Sequence, residues 1–207
     1  MGDASKEKRR LILDSIDYYE RYADIYYENT VNLDMGKILD EFLELLPENA
    51  EVLDLGCGSG RDSLYMEDRG CYVTLMDGSE QMCKLAEIHT DKDVVHMTFE
   101  EMDFEEVFDG IWACASLLHV EEKDMDRIMG KVVQALKPEG VLYMSFRYGE
   151  TEGFRGQRFF HDYTQESAYE MVKRQKKLRS LRIWTTRDVR GDRKDQKWVN
   201  ILAKKVD

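Results

Sequence analysis

Three glycines at alternate positions, Gly56, Gly58 and Gly60, form the most chemically informative stretch of the sequence. Glycine is used where the backbone takes a positive φ angle or must let a ligand approach closely. A carboxylate, Asp54, precedes them, and a second, Asp77, ends the next apolar run 21 residues after Gly56. An acidic side chain at such a spacing accepts hydrogen bonds from a ribose in dinucleotide-binding proteins. The pattern predicts a binding loop for a nucleotide-like ligand.

The glycine loop departs from the dinucleotide pattern G-x-G-x-x-G, because Arg61 stands at the sixth place. In that pattern the glycines let the backbone approach a pyrophosphate. The departure, together with the carboxylate of Asp54, favours a ligand with a ribose, no phosphate and a cationic or amino-acid end. In a simpler interpretation, Asp54 caps the turn and Asp77 is an ordinary residue at the end of a strand.

Apolar periodicity predicts that strands and helices alternate along the middle of the chain. Runs of β-forming residues predict strands at 51–55, 71–76, 94–99, 108–113 and 141–146. Apolar residues at helical spacing predict helices at 62–69, 79–89 and 121–136, with a turn at 137–140. This order predicts an α/β fold with a Rossmann-like parallel sheet flanked by helices.

The two ends of the chain have a different pattern. The sequence predicts helices at 5–28, 34–46 and 164–177, a polar loop at 148–162, and strands at 181–186 and 198–203. The last two strands have so short a connection that they must pair in antiparallel fashion. We therefore expect a single domain in three parts: a helical lid at 1–47, a ligand-binding core at 48–147 and a substrate side at 148–207.

Composition narrows the class of protein and its compartment. The 207 residues include four cysteines without a CxxC pair, and no histidine lies at metal-ligand spacing beside them. We interpret them as free thiols in a reducing cytosol and expect no metal site. No apolar stretch is long enough to span a membrane, and the first ten residues are charged. These features predict a cytoplasmic protein without a membrane partner.

Four segments together resemble the class I S-adenosylmethionine-dependent methyltransferases over about residues 51–145. They are EVLDLGCGSG at 51–60, the strand ending in Asp77, ACASLLHV at 113–120 and LKPEGVL at 136–142. The resemblance implies S-adenosylmethionine as methyl donor and S-adenosylhomocysteine as product. The tail at 159–205 is more loosely similar to small bacterial members of this superfamily, which does not fix a substrate.

The resemblance also implies roles for individual residues. Gly56, Cys57 and Gly58 would line the methionine end of the cofactor. Asp54 would hold this loop and face the amino group, and Asp77 would accept both ribose hydroxyls. The other implied cofactor contacts are Gly78, Met82, Phe99, Glu100 and Cys114.

The adenine contact is where the chain departs from the family pattern. Many members have an aspartate at the position of Thr98, where it receives the adenine amino group. We therefore expect Phe99 to stack on the adenine or to bind it through its backbone N–H. Glu100 is the expected replacement acceptor, and Met82 would pack on the ring.

The candidate catalytic residues are His119, Arg147, Tyr148 and Tyr22. His119 follows the fourth strand, at the edge where α/β sheets place ligands. It is interpreted either as a general base or as a residue that orders the loop. Arg147 and Tyr148 follow the fifth strand at the same rim. Further residues expected around an anionic substrate are Tyr18, Arg155, Arg158 and His161, although the arginines are equally interpretable as surface charges.

Charge distribution separates the function hypotheses. The net charge is −12, yet residues 171–207 contain 13 Lys and Arg against 4 Asp, a local charge of +9. This segment is interpreted as a solvated surface, or as a patch for an anionic substrate or RNA. We expect a small-molecule methyltransferase, with an RNA methyltransferase or a non-catalytic cofactor-binding module as alternatives. DNA is not expected, because the fourth strand lacks the Asn/Asp-Pro-Pro-aromatic motif.

Overall fold

The computed structural model describes residues 3–193 and 195–206, with side chains described from Ser15 onward. Nine strands alternate with six helices in this part of the chain. The strands are β1 Glu51–Leu55, β2 Tyr72–Asp77, β3 Val94–His96, β4 Phe108–Ala113, β5 Leu136–Arg147, β6 Glu152–Arg155, β7 Arg158–His161, β8 Leu178–Arg187 and β9 Lys197–Lys205. The helices are α1 Asp3–Thr30, α2 Gly36–Leu43, α3 Arg61–Glu67, α4 Glu80–Thr90, α5 Glu122–Ala135 and α6 Gln165–Arg174.

Seven strands form one sheet in the order β3–β2–β1–β4–β5–β9–β8. The first five pair in parallel, and β9 pairs antiparallel with both β5 and β8. The predicted Rossmann-like fold with an antiparallel strand pair at its end is therefore confirmed. Strand order reverses between β1 and β4, and open α/β sheets bind ligands at such a switch point.

The sheet is buried on both faces because its side chains alternate between two apolar clusters. On β4, Ile111 belongs to the larger cluster, which packs under α5 and α6, whereas Trp112 belongs to the cluster under α2 and α3. Trp112 stacks on Tyr143 of β5 with ring centroids 3.9 Å apart. This packing fixes the ends of β1, β4 and β5 relative to one another.

Helix α1 covers the carboxyl edge of the sheet and is interrupted at Tyr22, whose backbone leaves the helical region (φ −124°, ψ 24°). The helix contacts α4 and β7. Its Ser15 hydroxyl accepts a hydrogen bond from the backbone N–H of Phe159 at 3.1 Å. No helix in the described part of the chain is long and apolar enough to cross a membrane.

Three sequence expectations need correction. The third strand ends at His96 rather than at 99, because the N–H and hydroxyl of Thr98 both donate to the Glu101 carboxylate at 2.9 and 2.8 Å. The turn at 137–140 lies inside β5 as an irregularity, with Glu139 at φ 66°. The polar loop at 148–162 contains the hairpin β6–β7, which turns at Gly156 (φ 64°).

Candidate active site

Gly56 brings the loop after β1 against the loop after β4. Its φ of 77° favours glycine, and a Cβ atom here would lie 2.5 Å from the Cβ of Ser116. The N–H groups of Gly56 and Cys57 donate to the carbonyl of Met76 on β2 at 2.8 and 2.9 Å. A side chain at Gly56 would therefore force apart the two loops that meet at the switch point.

Asp77 is held by backbone donors at the end of β2. One of its carboxylate oxygens accepts from the N–H of Gly58 at 3.0 Å, and the other accepts from the N–H of Ser79 at 2.9 Å. Burial raises the pKa of Asp77, and these N–H donors oppose that shift. Each oxygen keeps a further lone pair, so the oriented carboxylate can accept two more hydrogen bonds.

Two adjoining cavities open at this edge of the sheet. The first, which we call the glycine-loop cavity, occupies about 800 Å³ including its open mouth. Its lining includes Ile16, Gly56, Gly58, Asp77, Gly78, Ser79, Met82, Thr98, Phe99, Glu100, Cys114 and Ser116. It combines an apolar floor with one oriented carboxylate, and its size suits a nucleoside-sized ligand.

The second, which we call the arginine cavity, lies beside it and occupies about 1020 Å³ including open solvent. Six arginines line it: Arg61, Arg147, Arg158, Arg187, Arg190 and Arg193. Its other polar lining includes Asp54, Cys57, Ser145, Asp188 and Asn200. The side chains come from both ends of the chain as well as from the core.

Seven residues line both cavities: Tyr19, Tyr26, Gly56, Gly58, Cys114, Ala115 and His119. Ala115 has a positive φ of 54°, which is uncommon for alanine. Its backbone N–H donates to the hydroxyl of Ser145 at 2.9 Å, which holds the loop in this conformation. Backbone strain of this kind persists where the surrounding structure fixes a functional loop.

The comparisons with known proteins agree with this geometry. A family model described as a methyltransferase domain matches residues 53–144, which run from within β1 to within β5. YqeM, a methyltransferase-family protein of Bacillus subtilis (strain 168), is 30% identical over 146 residues. The alignment covers 64% of this chain and 58% of the length of YqeM. The family match identifies residues 53–144 as a methyltransferase domain.

Two further relatives show how far the likeness extends. The ubiquinone biosynthesis O-methyltransferase of Xanthomonas axonopodis pv. citri is 32% identical over 108 residues, 49% of this chain and 44% of that protein. Among solved structures, Burkholderia thailandensis 1,6-didemethyltoxoflavin-N1-methyltransferase superimposes with a TM-score of 0.76 at 21% identity. That match covers 100% of this chain and 92% of the other, and at this identity it shows the common fold.

The glycine-loop cavity fits S-adenosylmethionine, the cofactor that the sequence resemblance implies. Asp77 offers two oriented acceptors for a diol, and Met82 and Phe99 offer apolar surface for a flat ring. The hydroxyl of Ser116 is buried and has no hydrogen-bond partner among the described residues, so a polar ligand atom can satisfy it. Eight of the ten cofactor residues expected from the sequence line this cavity, all but Asp54 and Cys57.

Asp54 and Cys57 line the arginine cavity instead. The hydroxyl of Ser63 donates to Asp54 at 2.6 Å. Burial and the nearby carboxylate of Asp62 raise the pKa of Asp54 to about 8. Asp62 itself is held by Arg61 through bonds of 2.6 and 2.8 Å. The chain thus keeps a protonated carboxyl beside the glycine loop near neutral pH.

His119 lies at the wall between the two cavities and is fixed by the protein on both ring nitrogens. Its Nδ1 lies 2.6 Å from the carbonyl oxygen of Phe159, and its Nε2 lies 2.9 Å from the hydroxyl of Tyr19. Burial lowers the pKa of His119 to about 4, with Arg158 and Arg147 adding to the shift. Of the two interpretations from the sequence, this geometry favours a residue that orders the loop.

Arg147 and Arg158 face the arginine cavity over aromatic rings. The Arg147 guanidinium lies 4.2 Å from the centroid of Phe160, and that of Arg158 lies 4.4 Å from Tyr18. Within the described residues, neither forms an ion pair with a carboxylate, and Nε of Arg147 is buried without a hydrogen-bond partner. By contrast, Arg190 forms two bonds of 2.8 and 2.9 Å with Asp188.

Tyr148 and Tyr22 line neither cavity, so their expected catalytic roles are not supported by their positions. Successive residues of an extended chain point in opposite directions, so Tyr148 faces away where Arg147 faces the cavity. Tyr148 is 44% exposed. The Tyr22 hydroxyl faces the hairpin, 3.4 Å from Gln157 Nε2. The structure also turns Arg155 and His161 away from both cavities, and the Arg155 guanidinium pairs with Asp162.

Sequence reasoning missed Tyr19, the tyrosine that contacts His119. Of the tyrosines of α1, it named only Tyr18 and Tyr22, which are four residues apart. Tyr19 and Tyr26 are seven apart, which is two helical turns, and their rings meet edge to face with centroids 5.0 Å apart. The seven-residue spacing was the signal that could have identified them.

Proposed function

We propose that this chain transfers a methyl group from S-adenosylmethionine to a small anionic molecule bound in the arginine cavity. The observation that carries the proposal is the common wall of the two cavities. A methyl donor in the glycine-loop cavity and an acceptor in the arginine cavity would meet at Tyr19, Gly56, Cys114 and His119. The Burkholderia enzyme, whose structure contains a small heterocyclic acceptor beside S-adenosylhomocysteine, supports a small acceptor here.

The residues of the glycine-loop cavity divide the cofactor between them in this proposal. Asp77 accepts the two ribose hydroxyls, while Met82 and Phe99 enclose the adenine. Glu100 is the replacement acceptor for the adenine amino group, since Thr98 is engaged with Glu101. The methionine end lies along the backbone of the glycine loop, where Asp54 receives the cationic amino group.

When bound, the sulfonium of the cofactor supplies a methyl group that is transferred by in-line displacement. Such a reaction depends on the position of the attacking atom more than on a strong base. His119 is neutral and both of its ring nitrogens form hydrogen bonds within the protein, which is consistent with a reaction that needs no strong base. Its task in the proposed reaction is to hold the wall between the two bound molecules in one conformation.

An anionic acceptor accounts for the arginines. Arginine binds carboxylate and phosphate oxygens in bidentate fashion, and its charge is not lost on partial burial. Burial, followed by the neighbouring Arg155 and Arg158, lowers the pKa of Arg147. An anion bound between Arg147 and Arg158 would neutralise the repulsion between their guanidinium groups. It would also accept a hydrogen bond from the unpaired Nε of Arg147.

The structure weighs against the RNA hypothesis by dividing the basic segment. Arg187, Arg190 and Arg193 line the arginine cavity. A second group of basic residues, Lys173, Arg174, Lys176 and Lys177, lies at the end of α6 and in the segment before β8. Strand β8 has ten residues and is about 30 Å long, and Arg187 lies at its other end. Within the second group, Lys173 pairs with Glu170 and Arg174 pairs with Asp126.

The test combines calorimetry with a labelled-methyl screen. We expect S-adenosylhomocysteine to bind the purified chain. We also expect radiolabelled methyl groups to pass into small anionic molecules of a cell extract, when its small-molecule and RNA fractions are assayed separately. Label found only in RNA would contradict a small acceptor. Cofactor binding without transfer to any pool would indicate a non-catalytic binding module.

A further inference from the structure

Two tyrosines of α1 contact histidine rings in a similar geometry but in different surroundings. The Tyr19 hydroxyl lies 2.9 Å from Nε2 of His119, and the Tyr27 hydroxyl lies 3.1 Å from Nδ1 of His89. The ring centroids are 5.6 and 5.7 Å apart. Tyr19 lines both cavities and Tyr27 lines neither. Tyr27 is therefore a matched internal control for the function of Tyr19.

The direction of the hydrogen bond between Tyr19 and His119 follows from the other side of the ring. The carbonyl oxygen of Phe159, 2.6 Å from Nδ1, can only accept, so Nδ1 carries the proton. The buried ring is neutral because burial lowers its pKa to about 4, and it therefore has no second proton. Nε2 presents a bare lone pair, and the hydroxyl of Tyr19 must donate to it.

With its one proton committed to His119, the oxygen of Tyr19 is left with lone pairs alone. Arg158 donates to it through Nη1 at 3.3 Å. Burial raises the pKa of Tyr19, so the phenol retains its proton. A phenolic oxygen in this state accepts a further hydrogen bond and cannot donate one. This acceptor lies at the wall where the acceptor molecule would meet the methyl donor.

We propose that Tyr19 positions the acceptor molecule by accepting a hydrogen bond from the atom that becomes methylated. The site would then take hydroxyl or amine nucleophiles that carry a hydrogen and disfavour tertiary amines and thioethers. The lone pair of an aprotic nucleophile would instead face a lone pair of the Tyr19 oxygen, and the two would repel. In the transfer step, the lone pair of the nucleophile forms the bond to the methyl carbon, while the bond from that carbon to sulfur breaks and leaves its electron pair on sulfur. The proton of the methylated atom is then lost to solvent through the open arginine cavity. The inference rests on the proposed function, because it assumes an acceptor in the arginine cavity.

The first test measures the direction of the hydrogen bond without any acceptor molecule. The chain labelled with ¹⁵N-histidine and saturated with S-adenosylhomocysteine has four histidines, and His119→Gln assigns the signals of interest. We expect a protonated Nδ1 and an unprotonated Nε2 from pH 6 to 8. Tyr19→Phe should shift the Nε2 resonance, whereas Tyr27→Phe should leave it unchanged. A proton on Nε2 would overturn the proposal, because Tyr19 would then donate towards the site.

The second test is kinetic and uses benzoates that carry a hydroxyl, an amino or a dimethylamino group as probes. In the wild type, methylation of the first two should exceed that of the third by at least tenfold. Tyr19→Phe should lower kcat by about 10- to 100-fold, the loss expected for one hydrogen bond to a buried group. Its affinity for S-adenosylhomocysteine by calorimetry should stay within about twofold of wild type. Tyr27→Phe should retain the wild-type kcat.

The outcomes separate this inference from the function on which it rests. A wild-type kcat in Tyr19→Phe, or equal methylation of the dimethylamino probe, would contradict the proposed role of Tyr19. Neither result would contradict the proposed methyltransferase function. If no benzoate is methylated although the cofactor binds, the anionic acceptor of the proposed function is contradicted. The nitrogen resonances of His119 still decide the direction of the Tyr19 hydrogen bond in that case.

Discussion

The two cavities are built by different means. The glycine-loop cavity depends on backbone geometry: positive φ angles at Gly56 and Gly58, and N–H groups that orient Asp77. The arginine cavity depends on long side chains that come from β5, β7, β8 and the segment before β9. Backbone geometry tolerates little change, whereas arginines on the rim can be replaced without altering the sheet. Under the proposed function, the first cavity would therefore specify a common cofactor, and the second would be free to specify an individual acceptor.

Substitution at Asp77 should give the largest separation between the two cavities. Asp77→Ala removes the proposed acceptors for two ribose hydroxyls, worth about 3 kcal/mol or about a 100-fold loss of affinity. Calorimetry with S-adenosylhomocysteine measures this loss of affinity. The control variant Asp93→Ala, which removes an exposed carboxylate before β3, should bind S-adenosylhomocysteine with wild-type affinity. Unchanged affinity in a folded Asp77→Ala variant would remove the ribose assignment.

Substitution at Arg147 should produce the opposite pattern. Arg147→Met keeps most of the stem over Phe160 but removes the guanidinium, so the KM of the acceptor should rise about 10- to 30-fold, the value of one charged hydrogen bond. Affinity for the cofactor should be unchanged. Arg179→Met, at an exposed arginine of β8, is the matched control. If Arg147→Met weakens the cofactor as much as the acceptor, the division between the cavities is wrong.

A smaller effect should come from Asp54, which lies near the boundary. Its pKa of about 8 means that it is protonated at pH 7, and a cationic amino group beside it would expel that proton. Cofactor affinity should therefore rise with pH between about 6 and 8, by at most tenfold per unit. Calorimetry in buffers of different ionisation enthalpy should show release of up to about one proton, and none in Asp54→Asn. A buffer-independent enthalpy would place the amino group elsewhere.

The same pKa shift has a consequence for stability. The folded chain holds a proton on Asp54 that the unfolded chain releases near its ordinary pKa of 3.8. The folded state therefore binds more protons between about pH 4 and pH 8, and this contribution to stability declines as the pH rises through that window. Asp54→Asn should flatten this part of the pH dependence of unfolding.

Much of the fold follows from the sequence, because β1 and β4 have continuous apolar runs bounded by turn residues, and both have the predicted limits. The hairpin β6–β7 does not follow from the sequence, because each of its two strands has only four residues and about half of them are polar. Among the site residues, Asp77 follows directly from spacing. Tyr19 and Arg158 do not, because their meeting depends on how α1 crosses a hairpin more than 130 residues away in the chain.

The position of α1 also bears on turnover. Ile16 and Tyr19 line the glycine-loop cavity, so this part of the helix would contact a bound cofactor and slow its release. The contacts that hold it down include Ser15 to Phe159, Tyr19 to His119 and Glu20 to the N–H of Gln81. The break at Tyr22 separates residues 3–21 from the part of the helix that carries Tyr26 and Thr30. Residence time of the product, and hence product inhibition, would then be set by a few contacts far from the sulfur atom.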